Sequence, residues 1–378
     1  MNANVAGVGA LTLEQMQGQL AAAPDYRVAD DAPARRFSAL VERLWGGSLK
    51  PLMAAPGTGG RFSEAPLACP ATASTGLLDL PPGARSEPWR NADAIENIVA
   101  LDGGLDIAFG PALDHRVALG PFDMFSVPAG LLHQIVNRAP GAARAVICLS
   151  VPEGGTYDAV FDPALADTAC VEARRRLGLR FEDGTGIDAE PGGIEKRVTR
   201  FDTLVPYKKD LNRTGGLPAE ATESLSAGSV YPLIVPEGHV GRSRTAPMHG
   251  HQGLYISIAE CSAGNDGPPP HAHSDTQESF FVLDGSFDMC TGFDNETVVP
   301  VKAGDLIAMP KLVMRTFRNT AGRPSRLLVI IQGPGRMQDT VSFSRRIGED
   351  FERRFGRQTI EEYAKIRMTF DAEERLGA

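Results

Sequence analysis

Short apolar runs broken by turn residues recur along two stretches of this chain. Between about Thr75 and Pro152 the runs TGLLDL, ENIVALDGG, LDIAFG, FDMFSVPAG and ARAVICLSV alternate with Gly, Pro, Asp and Asn. A second series runs from about Val230 to Gly333 and includes GLYISIAEC, ESFFVLDGSFDM, DLIAMP and RLLVIIQG. Runs of this length, punctuated this often, predict antiparallel strands closed into a barrel or jelly roll. Helical periodicity is confined to the flanks. Phe37, Leu40, Val41 and Leu44 form one stripe between Pro33 and Trp45, and Pro163–Leu177 also reads as helix. In the charged tail, Phe343, Ile347, Phe351 and Phe355 recur every fourth residue, a stripe suited to packing on the outside of a barrel or, alternatively, to a dimer helix.

The two β stretches are copies of each other. A shift of 182 residues, without a gap, places Pro88 on Pro270, Glu96 on Glu278, Leu101-Asp102-Gly103 on Leu283-Asp284-Gly285 and Asp106 on Asp288. The same register carries Gly110 to Gly292, Asp123 to Asp305, Pro128 to Pro310, Asn137 to Asn319 and Arg144 to Arg326. One offset held over so many turn-forming positions is an internal repeat of one structural unit. The expected organisation is a helical and linker extension over 1–74, a first barrel over 75–153, a connector over 154–229, a second barrel over 230–340 and a helical tail over 341–378.

Composition narrows the partners. With 378 residues the chain can bury two cores, and 41 glycines and 28 prolines suit a turn-rich β protein. A net charge of −9 without a basic cluster argues against nucleic acid, and no stretch reaches transmembrane length. The first residues lack a basic segment followed by a long apolar run, and the five cysteines form no CxxC. Both features fit reduced thiols in a cytoplasmic protein.

The densest chemistry lies in PHAHSDTQESFFVLDG, residues 270–285. His271 and His273 share one side of an extended strand, whereas Glu278, an odd number of residues later, would point away on a straight strand. Ser274-Asp275-Thr276 offers the turn chemistry to bring Glu278 round beside them. Two imidazoles and one carboxylate on one wall suit a divalent transition metal with coordination positions left open.

These residues resemble the cupin motifs. Asn265 to Gly285 is similar to the first motif, with its leading glycine displaced to Gly264 or Gly267, while Gly304, Pro310 and Asn319 follow the second. Leu312 stands where the family has glycine, and Arg315 where it has its last histidine ligand. In the first repeat Trp89 and Asn91 replace the histidine pair, whereas Glu96, Pro128, Gly130, His133 and Asn137 keep to the pattern. The resemblance covers roughly 75–152 and 250–335. It implies a mainly β fold of two tandem cupin domains, antiparallel jelly-roll barrels with flanking helices, with bacterial quercetinase-like and other ring-cleaving dioxygenases as the nearest enzymes by analogy.

His271, His273 and Glu278 are thus the expected metal ligands, for iron(II) first and less selectively manganese, nickel, cobalt or zinc. Arg315 cannot be a ligand, because a guanidinium keeps its proton. Three readings stay open: it holds an anionic substrate, it pairs with an acid on the barrel wall, or no metal binds. Glu278 and Arg315 are the candidate catalytic residues, and Arg315, Phe317 and His251 the candidate substrate contacts. His249-Gly250-His251 reads more readily as a solvated turn, and Phe280, Val282 and Phe287 as core. The first repeat retains too few donors to bind a metal tightly.

The reading that follows is a dioxygenase taking O2 and a small enolic, phenolic or hydroxy-acid substrate. Its alternatives are a metal-dependent decarboxylase, isomerase or lyase, and a non-catalytic small-molecule-binding protein. It leaves room for a homo-oligomer.

Overall fold

A computed structural model of the chain describes residues 9–23, 37–184, 186–187, 191–206, 217–239, 246–250, 253–264, 267–334 and 339–377. The fold is mainly β, as the run pattern predicts, and separates into two compact units. One comprises residues 24–203; the other comprises everything from residue 204 onward together with the first 23 residues.

Each unit is built from a pair of sheets. In the N-terminal unit one sheet orders its strands Leu179–Phe181, Ala159–Phe161, Trp89–Asn91, His133–Asn137, Leu105–Phe109 and His115–Leu119. The other runs Val198–Thr199, Met124–Val127, Ile95–Ala100, Ala143–Ser150, Ala73–Leu80, Ser48–Ala54 and Leu67–Ala68. In the C-terminal unit the first sheet runs Thr297–Lys302, Ser286–Thr291, Arg315–Asn319, His271–His273, Val341–Phe343 and Met368–Thr369. Its companion runs Leu20–Ala21, Leu306–Met309, Gln277–Val282, Ser325–Gln332, Leu254–Cys261, Ser229–Pro236 and His249–Gly250.

The offset of 182 survives in this detail. Strands that open at Leu67, Trp89, Ile95, Met124, His133 and Ala159 have counterparts opening at His249, His271, Gln277, Leu306, Arg315 and Val341. Core positions obey it too: Ile98, Ile107, Phe125 and Ile135 line the first core, and Phe280, Met289, Ile307 and Phe317 the second.

The domain limits differ from those expected. The segment read as an N-terminal extension supplies Ser48–Ala54 and Leu67–Ala68 to the first unit and Leu20–Ala21 to the second, where Leu20 pairs with Ile307. The connector supplies Ala159–Phe161, which pairs with Trp89–Asn91. Strands of two or three residues are too short to show an alternation. The longer Ser48–Ala54 carries Pro51 at a register shift, which hides it as well.

Most shared polar positions prove to be turn chemistry. The Asn137 side-chain amide lies 2.9–3.0 Å from the carbonyls of Leu80, Pro81 and Gly141, and that of Asn319 lies 2.7–3.0 Å from those of Cys261, Ser262 and Arg323. Arg144 donates to Asp102 and Arg326 to Asp284, each across a strand end. Leu312 adopts the left-handed conformation (φ 61°) that Gly130 holds in the first repeat (φ 79°). The family glycine has been lost there and its backbone shape kept.

The apolar stripe of the tail is covered by its own chain. Helices Arg345–Phe355 and Arg357–Lys365, separated at Gly356, bury Phe351 and Tyr363 with Leu217, Ala221, Leu225 and Phe343. The helix expected over 33–45 is observed as Ser38–Trp45, residues 33–36 lying outside the described residues. Among the described residues no helix is long and apolar enough to cross a membrane.

Candidate metal centre

The His271–His273 strand pairs with Arg315 on one side and with Val341–Phe343 on the other, so both imidazoles leave the same face. Glu278 sits on Gln277–Val282, a strand of the companion sheet. The Ser274–Thr276 turn carries the chain from one sheet to the other, which reconciles the odd spacing of Glu278 with a common site.

Glu278 Oε2 lies 3.6 Å from His271 Nε2 and 3.5 Å from His273 Nε2, and all three ligand atoms fall within 4.8 Å of one another. These separations exceed a good hydrogen bond. The separations of 3.5–3.6 Å match ligand atoms placed around a shared ion at metal–ligand distances of about 2.0–2.2 Å. Glu278 Oε2 is buried and has no hydrogen-bond partner. Each imidazole is oriented from behind: His271 Nδ1 is 3.0 Å from the Pro269 carbonyl and His273 Nδ1 is 2.5 Å from Asp339 Oδ2. A carbonyl and a carboxylate only accept, so Nδ1 carries the proton and the Nε2 lone pairs face the centre. The donor set therefore fits a divalent metal. Among the described residues no other group of three His, Cys, Asp or Glu side chains does.

Burial alone would raise the Glu278 carboxyl, but the charge of His273, the contact with His271 and the charge of Arg315 outweigh it and hold it at about 2. Burial pulls His271 below the ordinary histidine value, although Glu278 acts in the opposite sense. Both shifts leave the residues in the forms a metal needs, carboxylate and neutral imidazole.

Arg315 is fully buried and pairs with an acid. Its Nη2 donates to the Pro310 carbonyl at 2.6 Å, and its Nη1 stands 3.7 Å from Glu278 Oε2. It is not among the described residues that line the cavity beside the site. Its contacts are those that the wall-acid alternative describes. Phe317 does line that cavity, together with Phe280 and Phe343, while also packing on Phe280 with ring centroids 5.4 Å apart. Val282 and Phe287 belong to the core. His249 is exposed, and His251 lies outside the described residues.

Three residues escaped sequence reasoning. Asp339 caps His273 from the strand end beyond the second barrel motif. His239 lines the cavity with its Nδ1 buried and unpartnered; burial, and secondarily His249, pull its imidazole down to about 4. Neither position carries a spacing signal. The third is Arg61, in the first repeat.

There, Trp89, Asn91, Glu96 and His133 occupy the positions of His271, His273, Glu278 and Arg315. The Arg61 guanidinium fills the space between them. Its Nη2 is 2.6 Å from Glu96 Oε1 and its Nη1 donates to Asn91 Oδ1 at 3.0 Å, while Asn91 Nδ2 donates to Glu96 Oε2 at 2.7 Å. The rings of Trp45, Phe62 and Trp89 surround it at 5.4–5.9 Å. Burial again opposes ionisation of Glu96, and the Arg61 charge leads the effects that bring its carboxyl to about 2. This pocket has its own cation.

No match is found among curated protein sequences. Solved structures with a similar backbone include vicilin from Corylus avellana (14% identity, TM-score 0.46, 77% of this chain and 86% of that one). Oxalate decarboxylase from Bacillus subtilis is another (15%, 0.43, 69% and 68%). A third is salicylate 1,2-dioxygenase from Pseudoaminobacter salicylatoxidans (14%, 0.49, 83% and 80%). Residues 76–151 and 258–331 each match the family described as Cupin domain. With both matches falling on the repeated barrels, the chain is a bicupin, a member of the cupin superfamily with two cupin domains in tandem.

Proposed function

We propose that the protein is a mononuclear metal-dependent dioxygenase whose C-terminal cupin binds one divalent transition metal, iron(II) first, on His271, His273 and Glu278. Its substrate is a small molecule with an enolic, phenolic or hydroxy-acid oxygen. The observation that carries this reading is Glu278 Oε2, buried, without a hydrogen-bond partner and 3.5–3.6 Å from two imidazole nitrogens. A divalent ion held there would act as a Lewis acid toward the substrate oxygen and, if redox-active, would make O2 a usable co-substrate.

The protein's own groups divide the remaining work. Glu278, at about 2, is a ligand and too weak a base to take a proton at neutral pH. Arg315 and Asp339 contribute opposite fixed charges, so a divalent ion with Glu278 leaves one net positive charge for a singly charged substrate. The adjoining cavity, of about 160 Å³, has an apolar side formed by Phe280, Phe317, Val329 and Phe343. An apolar cavity of about 150 Å³ accommodates benzene, so one ring is the natural size of the substrate body. His239 offers a neutral imidazole on the same wall.

One observation favours a second reading, metal-free binding of a small molecule: Arg315 already places a cation 3.7 Å from Glu278. Elemental analysis with oxygen uptake on a panel of phenols and hydroxy acids separates the readings. Metal together with O2 consumption supports the proposal. Metal-dependent turnover without O2 uptake would make the protein a decarboxylase, isomerase or lyase. Ligand binding by protein that takes up no metal would establish the second reading.

A further inference from the structure

The carboxylate of Asp339 is the hub of the metal-site turn. Its Oδ1 accepts from Ser274 Oγ at 2.9 Å and from the Asp275 backbone N–H at 2.8 Å. Its Oδ2 accepts from His273 Nδ1 at 2.5 Å and from Thr276 Oγ1 at 2.6 Å. A carboxylate has about four lone-pair sites, and here four consecutive residues, 273 to 276, fill them. Residues 274 to 276 are the link between the strand that carries both histidines and the strand that carries Glu278.

The first repeat supplies a contrast. At the position 182 residues before Asp339 stands Tyr157, whose hydroxyl donates to the Ala71 carbonyl at 2.8 Å. The turn there is tied differently, through Asp93 to Thr156. The repeat that has lost the histidine pair also lacks the hub.

We propose that Asp339 is the positioning residue of the ligand set, orienting the His273 ring and clamping the 274–276 turn so that His273 and Glu278 converge on one ion. The proposal rests on the metal reading above, though its effect on the ring exists without metal. Asp339 acts through His273 and the turn from a place on the cavity wall, and is not itself one of the three ligands. A carboxylate behind a ligating imidazole fixes its tautomer and direction, and losing such a partner typically weakens metal binding 10–100-fold.

The test uses full-length metal-free protein with ¹⁵N-labelled histidine, compared as wild type, Asp339→Ala and Asp339→Asn. In wild type His273 is expected as the Nδ1–H tautomer. In Asp339→Ala its signal should shift toward a tautomer mixture, while that of His271, held by Pro269, stays unchanged. Mn²⁺ affinity by calorimetry should fall about 10–100-fold in Asp339→Ala. It should fall less in Asp339→Asn, whose amide keeps one acceptor oxygen. A folded Asp339→Ala protein with wild-type Mn²⁺ affinity, or with an unchanged His273 signal, overturns the proposal. If the alanine variant does not fold, the same two readings on Asp339→Asn decide it. If wild type binds no Mn²⁺, the metal reading fails, and the tautomer comparison alone still decides whether Asp339 orients the ring.

Discussion

Replacing Arg61 with methionine should be among the most destabilising single changes in the N-terminal cupin. Methionine keeps much of the volume among Trp45, Phe62 and Trp89 but removes the guanidinium that Glu96 meets at 2.6 Å. Glu96 is completely buried, and its carboxyl is brought from 4.5 to about 2. At about 1.4 kcal/mol per pH unit, that displacement corresponds to roughly 3 kcal/mol favouring the ionised form. His133 and Asn91 share in that shift with Arg61, and breaking a buried pair by removing one partner costs about 3–5 kcal/mol, the size of loss expected here. The double variant Arg61→Met/Glu96→Gln leaves no orphaned charge and should recover most of the loss. The pH dependence has a definite sign. The folded carboxyl lies below its ordinary value of 4.5, so this stabilisation is complete well above that pH and is lost as pH falls toward about 2. Denaturant unfolding of the three proteins at pH 7 and pH 4, following the transition of the N-terminal domain, reads all of this. A loss under about 1 kcal/mol for Arg61→Met, or a double variant no more stable than the single, would refute the resident-cation account.

Three further outcomes follow from particular residues. Arg315→Met removes the guanidinium that stands 3.7 Å from Glu278 and should tighten Mn²⁺ binding about tenfold by calorimetry, because it removes a cation beside a dication; weaker binding would mean that Arg315 supports the ligand set. Leu312→Gly should raise thermal stability by up to about 1 kcal/mol, since leucine is held at φ 61° and 44% exposed; a lowered melting temperature would show that its side chain contributes packing. Phe317→Ala should extend turnover or binding to bulkier single-ring ligands while leaving metal content unchanged, and a loss of metal would place Phe317 in the support of the ligands.

The repeat and the His271/His273/Glu278 set were readable because their chemistry is local. Turn positions such as Asn319 and Asp284 bond to backbone and side chains at the ends of neighbouring strands, so their residue types are tightly restricted and the offset of 182 persists. The histidine pair announces itself through the two-residue period of a strand. Arg61 and Asp339 were invisible for the opposite reason. Each reaches its site through tertiary pairing, Arg61 from 30 residues before Asn91 and Asp339 from 66 residues after His273, and neither belongs to a spaced motif. Arg315 was placed correctly on its strand, but alternation fixes only the face a side chain leaves. Where a long guanidinium ends depends on which acceptors lie within reach, here the Pro310 carbonyl and Glu278. The strands that lie outside the expected barrel limits are the shortest ones and the one that carries Pro51, where the alternating pattern has no length in which to appear.

Metal stoichiometry tests the central claim most directly. Purified protein loaded with excess Mn²⁺ or Fe²⁺ and then desalted should retain close to one ion per chain. His271→Ala and His273→Ala should retain none, and His133→Ala should retain the wild-type amount, because the first pocket is already filled by Arg61. No retained ion in wild type, or two per chain with one lost on removal of His133, would contradict the account.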